Sequence, residues 1–261
     1  MRLLLTNDDG LDSVFLHALA RALAGAGHAL AVVAPAREQS WIGAAKSRHR
    51  PVTSAKVDVG LGCPTWRVDG TPSDCVNIAL AHLLPPAGFA PEGVVSGINI
   101  GRNASLCFIP ASGTIGGAWE GALHGLPAVA LSQDLTAEAY AAIKSPASEP
   151  AAPVLASLRA AAAHAVRLVP GLLAATAPRS FTVHSLNFPF PCRADAALRR
   201  TVPARIIMGG LFSPAADDGT HRFVFQSGTD VSPAGPPTDR AALDAGEISH
   251  TVLDYTKLGG L

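Results

Sequence analysis

The sequence predicts an α/β fold: a Rossmann-like, doubly wound, mostly parallel sheet that continues into a β-rich C-terminal extension. Three observations predict it. Short apolar runs at residues 3–5, 28–34, 93–98 and 126–131 end in turn residues, as strands of a parallel sheet do when both faces are buried. Stretches with helical spacing lie between them, and alternation of strand and helix is the pattern of parallel strands joined by helical crossovers. Past Pro189 the alternation stops, and short extended pieces stand among Gly- and Pro-rich loops.

In chain order, the strand at 3–5 runs into Asn7, Asp8, Asp9 and Gly10. Asp12 or Ser13 then caps a helix whose apolar positions are Phe15, Leu16, Leu19 and Leu23, and Gly25 and Gly27 end it. The second strand, 28–34, is closed by Pro35, and a β-helix-β unit of this spacing is right-handed. Residues 37–64 mix short extended pieces and turns. Gly70 to Asp74 leads into a capped helix over 75–80. The third strand, 93–98, ends in Asn99-Ile100-Gly101-Arg102-Asn103. Ser112-Gly113-Thr114 opens a helix carrying Trp119 and Glu120, and the strand 126–131 follows. Residues 133–153 are looser, with Pro146, Pro150 and Pro153. A long helix at 154–169 and a strand at 181–186 come next, then extended pieces at 204–208, 222–226 and 248–253. The expected organisation is a catalytic domain over 1–188 and an extension over 189–261, part of the same globular unit, that serves as an oligomerisation arm.

Of the 261 residues, 48% are hydrophobic and 15% charged, which suits a sizeable core and argues against disorder. The formal net charge is zero, so neither a nucleic-acid polymer nor a membrane surface is an expected partner. Cys63, Cys75, Cys107 and Cys192 form no CxxC pair, which argues against structural zinc and a disulfide framework. The opening apolar run is too short for a signal peptide, and Arg159, His164 and Arg167 interrupt the Ala-rich stretch 151–176. A soluble, cytoplasmic protein is expected. Lysines are few: Lys46, Lys56, Lys144 and Lys257.

Four loops should converge on one edge of the sheet, where open α/β sheets bind ligands. They carry Asn7-Asp8-Asp9-Gly10, the stretch from Ala34 to Ser40, the stretch from Ser96 to Asn103, and Ser112-Gly113-Thr114. Each alone reads as an ordinary turn, loop or helix cap. Together they read differently. Two adjacent carboxylates repel unless a cation or a proton intervenes. With a hydroxyl and an amide oxygen they make an all-oxygen shell for Mg²⁺, Mn²⁺ or Ca²⁺. A Ser-Gly-Thr helix start offers N–H groups, the positive end of the dipole and two hydroxyls to an anion. A cation beside an anion site points to metal-assisted hydrolysis of a phosphate ester. No GxGxxG or Walker sequence anchors a nucleotide cofactor.

Asn-Asp-Asp-Gly after the first strand, Ala-Pro-x-Arg-x-x-Ser, Gly-Thr-Pro-Ser-Asp-Cys-Val, Ser-Gly-Ile-Asn-x-Gly-x-Asn and Ser-Gly-Thr-x-x-x-Ala-x-Glu-Gly occur in this order across residues 1–132. In this the chain resembles the SurE family, the survival-protein-E nucleotidases. A weaker match persists in Pro237-Thr238-Asp239 and Gly246-Glu247-Ile248-Ser249. The resemblance implies a Rossmann-like domain with a C-terminal arm, a homodimer or homotetramer, and hydrolysis of nucleoside 5′- and 3′-monophosphates with one divalent metal ion per subunit. Carried over, the metal ligands are Asp8, Asp9, Ser40 and Asn99, with Asp8 or Asp9 orienting the attacking water. Asn103, Ser112, Gly113 and Thr114 face the phosphate, and Asn7 supports the first loop.

The chain departs from the family pattern in three places. Trp41 stands where a glycine usually follows the metal-binding serine. The stretch 104–111 is about one residue longer and lacks the family's acid and tyrosine. Ser13-Val14-Phe15 replaces the usual Ala-Pro-Gly. The metal shell is kept while its surroundings are not, which implies a changed pocket for the leaving group. Trp41 can contact a base or sugar there, whereas Trp66, Trp119 and His124 read as packing or capping residues. A specialised phosphatase for another small phosphorylated metabolite is the nearest alternative. A receiver-like phosphoacceptor domain and a non-catalytic binding protein are more distant ones.

Overall fold

Leu3, Leu4 and Leu5 are wholly buried in β1 (Arg2–Thr6), the strand about which the sheet is wound. The structure is a computed structural model that describes residues 1–144 and 150–258. Helix α1 (Val14–Gly25) follows, burying Phe15, Leu16, Leu19 and Leu23 at the expected helical spacing. Its expected side-chain cap is not made. Ser13 occupies the cap position without a cap hydrogen bond, and Asp12 is held 2.8 Å from Arg67 instead. Burial of the apolar face carries this helix.

Next come β2 (Ala29–Pro35), the short β3 (Ser54–Lys56) and β4 (Thr65–Val68). Helix α2 (Pro72–Ile78) is closed by a capping box: the Thr71 side chain accepts from the Asp74 N–H, and the Asp74 carboxylate accepts from the Thr71 N–H. The helix expected over 75–80 therefore starts three residues earlier, and a π-helical turn, Ala79–Leu83, ends it. Then β5 (Gly93–Ile100), α3 (Gly113–Leu123) and β6 (Ala128–Gln133) follow. Helix α4 (Ala137–Lys144) lies in a stretch expected to be loose; it buries none of its residues. Residues 145–149, Pro146 among them, lie outside the described residues.

Helix α5 (Ala152–Ala175) is longer than the expected 154–169 and continues past Pro170. Contrary to the sequence expectation, it has the length and the mean hydropathy, 1.2, of a membrane-crossing helix. It packs against α1 and β6 with Val154, Leu158, Ala161, Val169 and Leu173 buried, and so serves as a core helix. Strands β7 (Thr182–Phe188), β8 (Leu198–Thr201), β9 (Ile206–Ile207) and β10 (Thr229–Asp230), helix α6 (Asp239–Asp244) and β11 (Ile248–Asp254) complete the chain.

Nine strands form one sheet in the order β3-β4-β2-β1-β5-β6-β7-β11-β8, parallel except for the β3–β4 and β7–β11 pairs. The sheet is doubly wound, as expected. Leu3 and Leu5 face the core under α1 and α5, while Leu4 joins Val33, Val76, Ile115 and Ala118 under α2 and α3. From β1 the chain crosses to β2 on one side, and β5 pairs on the other. The carboxyl end of β1 is thus a topological switch point, where such sheets open a crevice. Strands β11 and β8 extend the same sheet, and β9 and β10 pair as a separate two-stranded ribbon.

Candidate active site

The crevice at the end of β1 is built around Asp8 and Asp9. Four loops are tied to this pair. The Asn7 amide donates to the Gly10 carbonyl at 2.9 Å and closes the first turn. The loop after β2 is held by the Gln39 N–H, which donates to the Asp8 carbonyl at 2.7 Å. The end of β5 is held by the Ile100 N–H, 2.8 Å from Asp9 Oδ2. The start of α3 is held by the Thr114 hydroxyl, which donates to Asp8 Oδ1 at 2.6 Å.

Two glycines make this convergence possible. At Gly97 the backbone has φ +132°, and a Cβ would lie 2.3 Å from the Leu131 carbonyl oxygen. The ladder between β5 and β6 shifts register from Ser96 to Asn99 there, which sets Asn99 at the crevice. At Gly113 a Cβ would come within 2.8 Å of Asp8 Cβ, so only glycine lets α3 begin against the carboxylate.

The electrostatics follow from burial. Asp8 is 4% exposed and the Asp9 side chain 2%. Burial lifts the Asp8 carboxyl to about 7, the Asp9 charge adds to the lift, and hydrogen bonds from Thr114 oppose it. Burial also raises Asp9, against the pull of the Lys144 ammonium and the Ile100 N–H. Lys144 bridges Asp9 Oδ1 at 3.0 Å and Glu38 Oε1 at 2.9 Å. Burial pushes Glu38 up, but bonds from Ser40 and Lys144 outweigh it and the net shift is downward. Asp9 and Glu38 therefore share one ammonium while Asp8 has none among the described residues, and the site carries more negative charge than its own side chains neutralise.

A cavity of about 750 Å³ opens from this point, and Asp8, Ser40, Asn99, Asn103 and Ser112 reach its wall. The Ser40 hydroxyl donates to Glu38, and the Asn99 amide nitrogen donates to the Gly101 carbonyl at 2.6 Å. With the nitrogen so engaged, the Asn99 Oδ1 is left to accept a hydrogen bond or to ligate a cation. The Asn103 amide donates to Ser132 at 2.9 Å. The two hydroxyls of the helix start are already engaged. Ser112 accepts from the Ile115 N–H as the cap, and Thr114 bonds Asp8. Asn7 is fully buried behind the site. Among the described residues no three His, Cys, Asp or Glu side chains gather as a metal cluster. The oxygens on offer are two carboxylates with the neutral groups of Ser40 and Asn99.

Sequence reasoning missed Glu38 and Lys144. Glu38 sits in a loop that was singled out, two residues before Ser40. Lys144 is one of only four lysines and lies four residues after Tyr140 on one face of α4, its ammonium 5.5 Å from the Tyr140 ring. Scarcity and spacing were the available signals. His124 caps the end of α3 and Trp66 is buried in the core. Trp119 stacks on Tyr255 with ring centroids 3.7 Å apart, while Trp41 lines the cavity.

Fold and crevice together define a Rossmann-like α/β protein with a buried carboxylate pair set against a helix start at the switch point. The chain belongs to the SurE family, whose model, "Survival protein SurE", matches residues 3–207. It is 33% identical to "5'-nucleotidase SurE" of Desulforudis audaxviator, over 100% of this chain and 96% of that protein. It is 36% identical to the protein of the same name from Solidesulfovibrio magneticus, over 98% and 92%. The crystal structure of the SurE protein from Aquifex aeolicus superposes with a TM-score of 0.72 at 27% identity, covering 99% of this chain and 97% of that one.

Proposed function

We propose that the protein is a divalent-metal-dependent phosphomonoesterase that hydrolyses nucleoside 5′- and 3′-monophosphates to nucleoside and phosphate. The observation that carries this reading is the buried Asp8–Asp9 pair, held against the first turn of α3 at the mouth of the cavity. Its excess negative charge and all-oxygen donor set suit a hard divalent cation, with Asp8, Asp9, Ser40 and Asn99 as the groups that would hold it. Such a cation supplies Lewis-acid polarisation of the phosphoryl group and activates water. The chain's own residues do the rest. Asp8 or Asp9 orients the attacking water and takes its proton. Thr114 fixes Asp8 in place, and the helix start with Asn103 steadies the phosphoryl oxygens. Lys144, anchored on Asp9 and Glu38, adds a positive charge at the rim.

The relatives named 5'-nucleotidase support the substrate class. We place the enzyme in the cytoplasm as a homodimer or homotetramer. Ile207, Phe212 and Val231, 62%, 64% and 49% exposed on the extension, support that arm's role in assembly. Phosphate release from purine and pyrimidine 5′- and 3′-monophosphates, with Mn²⁺, Mg²⁺ or EDTA, tests the reading. Turnover with metal and none with EDTA is expected. No turnover by the folded protein with any metal would overturn it.

A further inference from the structure

Five aromatic side chains line the cavity beyond Asp8, and four of them, Trp41, Phe108, Phe223 and Phe225, form one cluster apart from Tyr140. Trp41 meets Phe108 and Phe223 edge-on at centroid distances of 5.5 and 5.1 Å, and Phe108 stacks on Phe225 at 5.9 Å. Phe108 is buried and anchors the group. Trp41, Phe223 and Phe225 are 42%, 47% and 60% exposed, so they turn ring surface into the cavity instead of filling a core. Large aromatic surface left open around one concavity marks a ligand site.

Trp41 directly follows Ser40 in the loop after β2, and Phe108 lies in the stretch between β5 and α3. The backbone at Trp41 keeps φ +62°, the left-handed conformation that favours glycine. A bulky indole is thus held where a glycine would sit without strain, one residue from a proposed metal ligand. Packing alone does not account for a tryptophan that leaves so much of its surface open.

We infer that this wall is a leaving-group site for a flat aromatic ring, and that Trp41 determines the specificity. Esters whose alcohol carries such a ring, as a nucleoside does, are preferred over phosphorylated sugars that lack it. Ring stacking of this kind is tolerant of which base is present, because every base has a π-face. The inference rests on the nucleotidase reading and adds to it the residue, Trp41, that selects for the base.

Adenosine 5′-monophosphate and ribose 5-phosphate share the same primary phosphate ester and differ by the base, so their ratio of kcat/KM isolates the ring. In the wild type the ratio is expected to exceed about tenfold in favour of the nucleotide, equivalent to about 1.4 kcal/mol. Trp41→Ala should lower it by about tenfold, mainly through KM for the nucleotide, and Trp41→Phe should restore most of it. A ratio near one in the wild type, or an equal loss on both esters in Trp41→Ala, would overturn the inference. Calorimetric titration with the same two compounds separates the two readings. If neither ester is hydrolysed but the nucleotide binds at least tenfold more tightly through Trp41, the ring site stands and the phosphatase reading falls. Hydrolysis of both esters with equal affinity sinks the ring site alone.

Discussion

Two buried titratable pairs occupy the same sheet and have opposite designs. At the end of β1, Asp8 and Asp9 are adjacent like charges; Asp9 shares the Lys144 ammonium with Glu38, and Asp8 lines a cavity with no cationic side chain of its own among the described residues. Between β7 and β11, His184 and His250 form a closed hydrogen-bonded chain. The Thr176 hydroxyl donates to the Leu172 carbonyl at 2.7 Å, so it must accept from His184 Nε2, also at 2.7 Å. That leaves His184 Nδ1 to accept from His250 Nε2 at 2.9 Å, and both rings are neutral with fixed tautomers. The histidine pair is satisfied internally and needs nothing further. The carboxylate pair is held together at an electrostatic cost that a proton or a cation relieves.

The sharpest way to break this contrast is to remove a charge from the acidic pair. Asp9→Asn should lower turnover more than about a hundredfold, beyond the 10–100-fold typical of groups that merely support a ligand. Near-wild-type activity in this variant would place the chemistry elsewhere. Stability should move the other way for Asp8→Asn. A carboxyl raised in the fold costs stability as pH climbs from its unfolded value near 4 through about 7. In EDTA above pH 7 the Asp8→Asn protein should therefore melt at a higher temperature than the wild type. Equal melting temperatures would mean that the pair is not strained by its charges.

Smaller losses should follow from the groups that place Asp8. Thr114→Val removes the 2.6 Å hydrogen bond, and Gly113→Ala drives a Cβ into the Asp8 side chain. Each should reduce kcat by about 10–100-fold while the fold persists. If Thr114→Val falls short of tenfold, Asp8 is positioned by the backbone alone.

The acidic site was legible in the sequence because its parts are local. Apolar runs end abruptly in Asn7-Asp8-Asp9-Gly10 or at Asn99, and a Ser-Gly-Thr start precedes a helix. The same locality located β1, β2, β5, β6 and β7. What escaped depended on distant partners. The four residues of β4 are too few to show a period, and they become a strand by pairing with β2. Helix α4 has no fully buried residue, and Ala139 and Ile143, which pack partly against the core, make too short an apolar stripe to announce it or Lys144. The sequence marks β11 as an extended piece, yet its place between β7 and β8 rests on pairings across more than 40 residues. The rings of Phe223 and Phe225 meet Trp41 and Phe108 only in the folded chain.

The histidine pair supplies the smallest expected effect, and it concerns stability alone. Burial lowers both rings, with Arg200 contributing to each, and brings His250 to about 4. A second proton would set His184 Nδ1–H against His250 Nε2–H and break the chain. Because the unfolded histidines protonate near 6.5, the fold keeps its full stability above that pH and loses it as pH falls from 6.5 toward 4. The loss should be of the order of 2 kcal/mol, less than the separation of the folded and unfolded values would give at about 1.36 kcal/mol per pH unit, because the rings are not fully sealed from water. His250→Gln keeps a donor toward His184 but cannot gain charge. Urea unfolding of the two proteins between pH 8 and 4 should give curves that meet near neutrality and diverge in acid, with the variant the more stable at low pH. Parallel curves would show that the pair tolerates protonation, and the contrast with the acidic pair would then be one of location only.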